Sequence, residues 1–260
     1  MEPVVADLHV HTTRSDGAID PDDLGRLAAD RGLEVVAMTD HDQLPPTDVG
    51  GEGATVVGGI ELRVEAADVG RVDLLGYGVR RTASLEATIE HLQADRIERA
   101  RAIRERLEDR LGVTLEVDLE AGVGRPHLAR AVAAATDLGY QAVFDRYIGR
   151  DGPCYVPRDV PSFERGRRLL REACDLVVLA HPMRYRDPAR ALALVSGLDG
   201  LEFAYPYEDA RALDRLAGLI AGDPLRTGGS DAHRLDDLGR AGLDRDALAP
   251  IARRLGLVGW

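Results

Sequence analysis

The chain has 260 residues, of which 45% are hydrophobic and only 4% aromatic, which is enough for one sizeable aliphatic core. No apolar run approaches the roughly 18 residues of a membrane span, and the first residues lack the basic region of a signal peptide, so we expect no membrane partner. The net charge of −12, with arginine in place of every lysine, disfavours non-specific binding to a nucleic-acid backbone.

The chain contains two cysteines, Cys154 and Cys174. Two cysteines are too few for a disulfide framework, and we therefore expect a reducing, cytoplasmic location. An acidic composition without lysine is typical of a high-GC genome or of a salt-adapted cytoplasm, and composition alone leaves both open. Nothing in the sequence indicates an obligate protein partner.

Short apolar runs alternate with helical patterns along the chain. The first helical pattern, 21–32, opens with Pro21 after a potential cap at Asp20 and ends at a glycine, and 187–197 and 208–222 are similar. The predicted strands are residues 4–10, 34–40, 55–62, 71–78, 175–181, 200–206 and 225–231. Strands that alternate with helices predict a parallel α/β fold, and seven strands favour a barrel over a small open sheet.

The alternation breaks between residues 84 and 160. Residues 84–112 form one long predicted helix with charges at helical spacing, and two further helical patterns follow it. We therefore predict a barrel domain made of 1–83 and 161–260, interrupted by a helical insertion over 84–160, with no independent second domain.

Metal-binding residue types collect at the ends of the predicted strands. Five of the seven histidines lie at or just past the C-terminal end of a strand: His9, His11, His41, His181 and His233. The carboxylates in the same neighbourhood are Asp16, Asp40, Glu61, Asp73 and Asp231. In parallel α/β folds these strand ends form the face that holds the active site. The distribution therefore predicts a metal centre on that face.

The spacing within the motifs supports metal binding. His9 and His11 are two residues apart, so on a strand their side chains point to the same side. Asp16 follows after a short turn and can fold back over that site, and Asp231 with His233 repeats the same two-residue spacing. So many imidazole and carboxylate groups exceed the needs of one tetrahedral ion. Two or three divalent ions that share carboxylates fit better, and mixed nitrogen and oxygen ligands suit Zn, Mn or Fe.

Each residue also has a plainer interpretation when it is taken alone. A single histidine at a strand end is more often a hydrogen-bonding residue than a ligand, and Asp231 could cap a helix. His91 lies in the charged helix 84–112 and is expected to be solvated. The arginines around 96–110 are expected to form a salt-bridged helix face instead of a nucleic-acid patch. The combination of motifs, not any single residue, favours the metal centre.

Six motifs in chain order together resemble the PHP (polymerase and histidinol phosphatase) family from residue 5 to 250: DLHVHTTRSDG, MTDHD, GIEL, GRPHLAR, LAHPMRY and GSDAH. Several resemble a subgroup of stand-alone phosphoesterases, which includes 3′,5′-nucleotide bisphosphate phosphatases and 5′-to-3′ exoribonucleases acting on short RNA. The resemblance implies a distorted (β/α)7 barrel with a helical insertion, in agreement with the strand count.

The resemblance also implies a trinuclear metal site. The residues at the family's ligand positions are His9, His11, Asp16, His41, Glu61, Asp73, His181, Asp231 and His233. Glu61 matches the usual bridging carboxylate. Asp73 departs from the pattern, because relatives usually carry a histidine in this strand, and an aspartate has harder oxygens and a shorter reach. We therefore expect two or three divalent ions, with Mn as the first choice and Zn or Fe as alternatives.

Three residues of the subgroup motifs GRPH and HPMRY are predicted to act on the substrate. Arg125 and Arg184 are expected to bind phosphate oxygens, since a guanidinium can do so with two parallel hydrogen bonds. His127 is the candidate to protonate the leaving group. The alternatives are ordinary surface ion pairs for the two arginines, and for His127 a structural hydrogen bond at a helix start after Pro126.

These residues predict a metal-dependent phosphoric ester hydrolase. Bound ions would lower the pKa of a water molecule to about 7 and neutralise charge on the phosphoryl group. A 3′,5′-bisphosphonucleoside or a 5′-phosphorylated end of short RNA would use both arginines. The alternatives are a histidinol-phosphate phosphatase, a polymerase-associated proofreading module and a non-catalytic metal- or nucleotide-binding regulator.

Overall fold

A computed structural model of the chain describes residues 3–49 and 51–260. Its strands form one mixed sheet whose order follows the chain. The strands are β1 (Ala6–Val10), β2 (Val35–Met38), β3 (Thr55–Ala66), β4 (Gly70–Tyr77), β5 (Leu176–Leu179), β6 (Gly200–Ala204) and β7 (Leu225–Gly228). The predicted α/β class and the number of strands are confirmed.

Helices follow most of the strands. They are α1 (Leu24–Ala29), α2 (Ala83–Leu111), α3 (Arg125–Ala135), α4 (Tyr140–Val143), α5 (Phe163–Ala173), α6 (Pro188–Ala193), α7 (Ala212–Leu219) and α8 (Arg245–Arg254). A 3-10 turn, Pro21–Asp23, precedes α1, and the side chain of Asp20 accepts a hydrogen bond from the Asp22 N–H at 3.0 Å. This is the cap followed by proline that the sequence indicates. Helix α2 coincides with the predicted helix to within one residue at each end.

The fourth strand does not follow the predicted parallel direction. β4 pairs antiparallel with β3 and with β5, whereas the other neighbouring strands are parallel. β3 continues to Ala66, and a short turn leads to Gly70. A parallel return needs a crossover of about a dozen residues, so this segment can only fold back as a hairpin. The all-parallel expectation is therefore wrong for β4, and its first half comes to the edge where the parallel strands end.

The two ends of the strand order meet through the segment after β7. The His11 N–H donates to the Ala232 carbonyl at 2.9 Å, and the Ala232 N–H donates to the His9 carbonyl at 3.2 Å. Gly229 permits this close approach, because a methyl group there would lie 2.3 Å from the His9 Cβ. Among the described residues, two isolated bridges and no strand ladder join β1 to the chain beyond β7. The bridge at Ala232 brings the last predicted motif beside the first.

The core beneath the sheet is aliphatic, as the low aromatic content predicts. One of its clusters is made of Val5, Ala6, Leu8, Val35, Ala37, Val57, Leu75, Tyr77, Leu176, Val178, Ala180, Leu243, Leu248, Ile251 and Ala252. Tyr77 is the one aromatic side chain of that cluster and is fully buried. Burial of this apolar surface, at about 25 cal/mol per Å², is the main force that holds the strand ends in place.

The described chain divides into two compact units. One unit ends at Ala87, resumes over Val160–Trp260 and contains the sheet, and the other is Thr88–Asp159. The second unit has an apolar cluster of its own, made of Ala100, Ile103, Leu107, Leu115, Val123, Leu128, Ala129, Val132, Val143, Ile148 and Cys154. The assignment of 84–160 as an insertion within one domain stays a prediction. Within the described ranges, no helix is both long enough and apolar enough to cross a bilayer.

Candidate metal centre

Strand β1 delivers two imidazole rings to one point. His9 and His11 are fully buried, and their Nε2 atoms lie 3.2 Å apart. Thr39 at the end of β2 fixes the strand end, because its hydroxyl accepts a hydrogen bond from the Val10 N–H at 3.1 Å. Two ring nitrogens that face each other at this distance share a proton or a cation.

Glu61 occupies the middle of the site. It lies within β3 next to His41, to which it is joined by a parallel bridge, and its side chain is 1% exposed. Four imidazole nitrogens approach its carboxylate: His41 Nδ1 at 2.6 Å, His181 Nε2 at 3.1 Å, His11 Nε2 at 3.5 Å and His9 Nε2 at 3.6 Å. A carboxylate with imidazoles on both of its oxygens is placed to bridge two cations.

A second set of ligand atoms gathers around Asp16. Its Oδ1 lies 3.3 Å from His233 Nε2 and 3.8 Å from His41 Nε2. The His233 ring stacks on His11, with the ring centroids 4.3 Å apart. Asp16 thus closes over the site as its position after the HxH motif predicts.

Asp231 faces β1 from the turn after β7. Its backbone has φ 53°, a left-handed conformation that aspartate tolerates better than most residues but that still stores strain. Its Oδ1 lies 3.0 Å from His11 Nε2 and 3.5 Å from His9 Nε2. Its Oδ2 accepts hydrogen bonds from Arg184 Nη1 and from the Tyr205 hydroxyl, each at 2.9 Å. One oxygen therefore faces the imidazoles and the other faces the mouth of the site.

Asp73 reaches the site from the antiparallel strand β4. Its Oδ2 lies 3.8 Å from His181 Nε2, and its side chain is 4% exposed. Both of its oxygens also accept hydrogen bonds from Arg63. The residue that departs from the family's ligand pattern therefore has both of its carboxylate oxygens hydrogen-bonded to an arginine.

Three groups of potential ligands result within residues 3–49 and 51–260. In each group, one ligand atom per residue lies within 4.8 Å of the others. The groups are His11, Asp16, His41 and His233; His9, His11 and Glu61; and Glu61, Asp73 and His181. With Asp231, which contacts the first two histidines, these are the nine residues that the sequence predicts as ligands. The fold brings all nine together.

Comparison with known families matches residues 7–145 to the PHP domain. The chain belongs to the PHP domain family. The matched segment contains β1 to β4 and the motifs that carry His9, His11, His41 and Glu61.

Curated relatives of this PHP domain cleave phosphate esters. A phosphoribosyl 1,2-cyclic phosphate 1,2-diphosphodiesterase from Eggerthella lenta is 31% identical over 250 residues, covering 88% of this chain and 94% of the relative. The 5'-3' exoribonuclease Rnm of Escherichia coli is 29% identical, covering 89% and 86% of the two chains. A 3',5'-nucleoside bisphosphate phosphatase from Chromobacterium violaceum is 28% identical, covering 95% and 93%.

A solved structure supports the same fold. A protein from Bifidobacterium adolescentis described as a metal-dependent phosphoesterase superposes with a TM-score of 0.81 at 27% identity, over 98% of each chain. The predicted family, the fold class and the class of metal-dependent phosphoric ester hydrolase are confirmed by these comparisons. Divalent metal ions are the cofactors that the clustered ligands and this neighbour support.

The ligand atoms of the PHP domain suit divalent cations. Carboxylate oxygens from Asp16, Glu61 and Asp231 lie among imidazole nitrogens, a donor set that binds Zn, Mn or Fe. His11 Nδ1 and His181 Nδ1 are buried with no hydrogen-bond partner within the described ranges. Buried polar atoms without a partner are costly, and only a cation bound directly at these nitrogens would offset that cost.

Crowding of opposite charges controls ionisation in the site. Burial alone would raise the pKa of Glu61, but His41 and His9 hold that pKa well below its usual value. Burial alone would lower the pKa of His9, but the surrounding carboxylates, Glu202 first, raise it well above its usual value. Metal ions bind the neutral imidazole and must displace these protons, so metal affinity falls as the pH falls.

Sequence reasoning missed Glu202, which supports two of the ligands. This fully buried residue on β6 accepts a hydrogen bond from His9 Nδ1 at 2.9 Å with one oxygen and from the His181 N–H at 2.8 Å with the other. A carboxylate that accepts from one ring nitrogen turns the other nitrogen toward the metal. The sequence feature that could have indicated Glu202 is that it is the single charged residue in the otherwise apolar strand GLEFA.

Asp7 fixes the junction between β1 and the segment after β7. Its carboxylate accepts hydrogen bonds from the N–H groups of His9 at 3.2 Å, Ser230 at 2.9 Å and Gly239 at 2.9 Å. Burial raises the pKa of Asp7 to about 6, although these hydrogen bonds oppose the rise. The residue therefore holds the first and last motifs together and is not itself within the ligand groups.

Asp40, which follows β2, stabilises the loop before Asp16 in a similar way. Its carboxylate accepts hydrogen bonds from the Thr12 N–H at 2.8 Å, the Thr12 hydroxyl at 2.7 Å and the Ser15 hydroxyl at 2.6 Å. The carboxylate of TDHD thus shapes the turn that presents Asp16, which explains its place among the strand-end carboxylates.

The remaining predicted residues lie in the unit Thr88–Asp159. Arg125 Nη1 donates to the Ile148 carbonyl at 3.0 Å, and its guanidinium lies 5.6 Å from the centroid of the Phe144 ring. His127 Nδ1 accepts a hydrogen bond from the Gly124 N–H at 3.1 Å, which caps helix α3. This capping bond is the structural alternative foreseen for His127, and the substrate roles of both residues stay predictions.

Proposed function

We propose that this PHP domain is a Mn²⁺-dependent phosphoesterase that acts on nucleotides carrying two phosphates or on 5′-phosphorylated ends of short RNA. The observation that carries the proposal is the carboxylate of Glu61 with imidazole nitrogens on both oxygens. Shared ligands hold ions close together, which suits a clamp on one phosphoryl group. The two buried, free cysteines fit a reducing cytoplasm, where we place the protein.

The ligand groups would divide the work of holding the ions. His11, Asp16, His41 and His233 would hold one ion, and His9 with Glu61 and Asp231 would hold its neighbour. When bound, such ions lower the pKa of a water to about 7 and neutralise charge that develops on phosphoryl oxygens. Glu202 keeps one of these ligands in place, because its carboxylate accepts a hydrogen bond from the His9 ring.

Arg184 is the proposed phosphate-binding side chain at the mouth of the site. Its side chain is 53% exposed, and Asp231 holds its Nη1 at 2.9 Å. The guanidinium has five N–H donors, so contacts with Asp231 and Tyr205 leave donors for a phosphate. Arg125 is proposed for the second phosphate and His127 for protonation of the leaving group.

The substrate class can be tested by a panel assayed with added Mn²⁺. The panel contains adenosine 3′,5′-bisphosphate, short 5′-phosphorylated RNA, phosphoribosyl 1,2-cyclic phosphate and histidinol phosphate. We expect the highest kcat/KM with the bisphosphate or the RNA, and EDTA should abolish the activity. Preference for the cyclic phosphate, which the Eggerthella lenta relative cleaves by name, would reassign the substrate. Preference for histidinol phosphate would overturn the proposal.

Substitution Arg184→Met should raise KM for the preferred substrate about tenfold or more, because a hydrogen bond to a charged group contributes roughly 1.5–3 kcal/mol. Metal content should not change, since no ligand is removed. The matched control is Arg186→Met, an exposed arginine two residues further along. Equal KM values for the two variants would contradict a role of Arg184 in phosphate binding.

A further inference from the structure

Arg63 and Asp73 form a bidentate ion pair, with two hydrogen bonds, inside the metal centre. They lie directly opposite each other in the β3–β4 hairpin. Arg63 Nε donates to Asp73 Oδ1 and Arg63 Nη2 donates to Asp73 Oδ2, both at 2.7 Å. Such a planar fork is the strongest geometry available to a guanidinium and a carboxylate.

The backbone of both residues is also held in place. The Arg63 N–H donates to Asp42 Oδ1 at 3.2 Å. The Asp73 N–H donates to the Tyr185 hydroxyl at 2.9 Å, and that hydroxyl donates to the Ala180 carbonyl at 3.0 Å. The pair is therefore a fixed part of the site and not a chance contact of two mobile side chains.

The hydrogen bonds between Arg63 and Asp73 limit metal binding by the third ligand group, which consists of Glu61, Asp73 and His181. With both oxygens of Asp73 bound to Arg63, the group retains Glu61 and His181, whose Oε1 and Nε2 lie 3.1 Å apart. Glu61 is already shared with His9 and His11. A dication bound to Asp73 Oδ2 would also lie next to the guanidinium, and like charges repel strongly where water is largely excluded. The third group therefore does not fit a third metal ion.

We propose that this PHP domain binds two divalent ions and that the Arg63 guanidinium supplies the third positive charge of the site. The inference rests on the proposed function. The Arg63 side chain is 30% exposed, so a phosphate oxygen can reach it while Asp73 holds it in place. The aspartate that replaces the expected histidine thus serves to position an arginine.

The hairpin contains its own control pair. Arg71 lies opposite Glu65, two positions nearer the turn of the hairpin, and Arg71 Nε donates to Glu65 Oε2 at 3.3 Å. Each pair joins an arginine to a carboxylate across the same two strands, but the Glu65 side chain is 47% exposed and the Asp73 side chain 4%. Removal of Arg71 should therefore leave the metal centre unchanged.

The test is the number of Mn²⁺ ions per chain, measured by mass spectrometry of the metal after saturation and removal of free ions. We expect two ions in the parent and in Arg71→Met, and three in Arg63→Met, because the freed Asp73 carboxylate then completes the third group. The double variant Arg63→Met/Asp73→His, which leaves no buried unpaired carboxylate, should also bind three ions. It carries the test if the single variant does not fold.

Three ions in the parent, or two ions in the folded Arg63 variants, would overturn the inference. Its failure is distinct from failure of the proposed function. If the parent binds three ions and cleaves the bisphosphate, the proposed function holds and the inference about Arg63 is wrong. If the parent binds two ions and cleaves no member of the substrate panel, the proposed function is wrong, whereas the ion count still supports the role of Arg63.

Discussion

Replacement of both His9 and His11 by alanine should lower kcat/KM for phosphate esters at least about a thousandfold. The two rings contribute to two of the three ligand groups, and both are fully buried. Loss of a residue that merely supports a metal ligand typically costs about 10–100-fold, so loss of two direct ligands should cost more. Bound Mn²⁺ per chain should fall in parallel, and added Mn²⁺ should not restore the rate.

The matched control for this variant is His91→Ala. His91 lies on α2, its side chain is 65% exposed, and its Nε2 lies 3.0 Å from the Asp159 carboxylate. That pair is a surface contact of small energetic value, so activity and metal content should equal those of the parent. If the double variant hydrolysed phosphate esters as fast as His91→Ala, a metal mechanism at this site would be wrong.

The ligands could be predicted from the sequence because their positions follow local rules. The two-residue period of a strand places His9 and His11 on one side, and strand ends of a parallel sheet share one edge. Neither rule depends on knowing which strands are neighbours. The position of Glu61 at a strand end follows from the same rule, but its role as a bridging carboxylate needed the family resemblance.

The orientation of β4 could have been read from chain length. The predicted strands 55–62 and 71–78 leave eight residues between them, which is too short for a crossover helix. A hairpin reverses β4, and that reversal places Arg63 opposite Asp73. The pairing of these residues then depends on the register of two strands, which periodicity alone does not determine.

Glu202 shows why supporting residues escape a search for motifs. It lies 193 residues from His9, and only the folded sheet places β6 where its carboxylate meets the first strand. Its burial is also the reason for its effect, since a carboxylate exposed to water would have little influence on the choice of ring tautomer. Such residues follow from tertiary structure and not from spacing.

Substitution Glu202→Gln should weaken Mn²⁺ binding about 10–100-fold, the usual effect of losing the carboxylate behind a ligand histidine. The glutamine has the same shape but only one acceptor oxygen. If that oxygen accepts from the His181 N–H, the amide NH₂ faces His9 Nδ1, which must then accept. The proton of His9 moves to Nε2, and this nitrogen can no longer bind a metal.

The tautomer argument separates this variant from one that is merely less stable. Calorimetric titration should show a higher Kd for Mn²⁺, and excess Mn²⁺ should restore kcat with an unchanged KM. Glu208→Gln, an exposed position beyond β6, is the matched control and should bind Mn²⁺ like the parent. An unchanged Kd in Glu202→Gln would mean that the hydrogen bond to His9 does not select its tautomer.

The apparent Kd of the parent for Mn²⁺ should also rise as the pH falls, because the carboxylates raise the pKa of His9 and protons then compete with the metal.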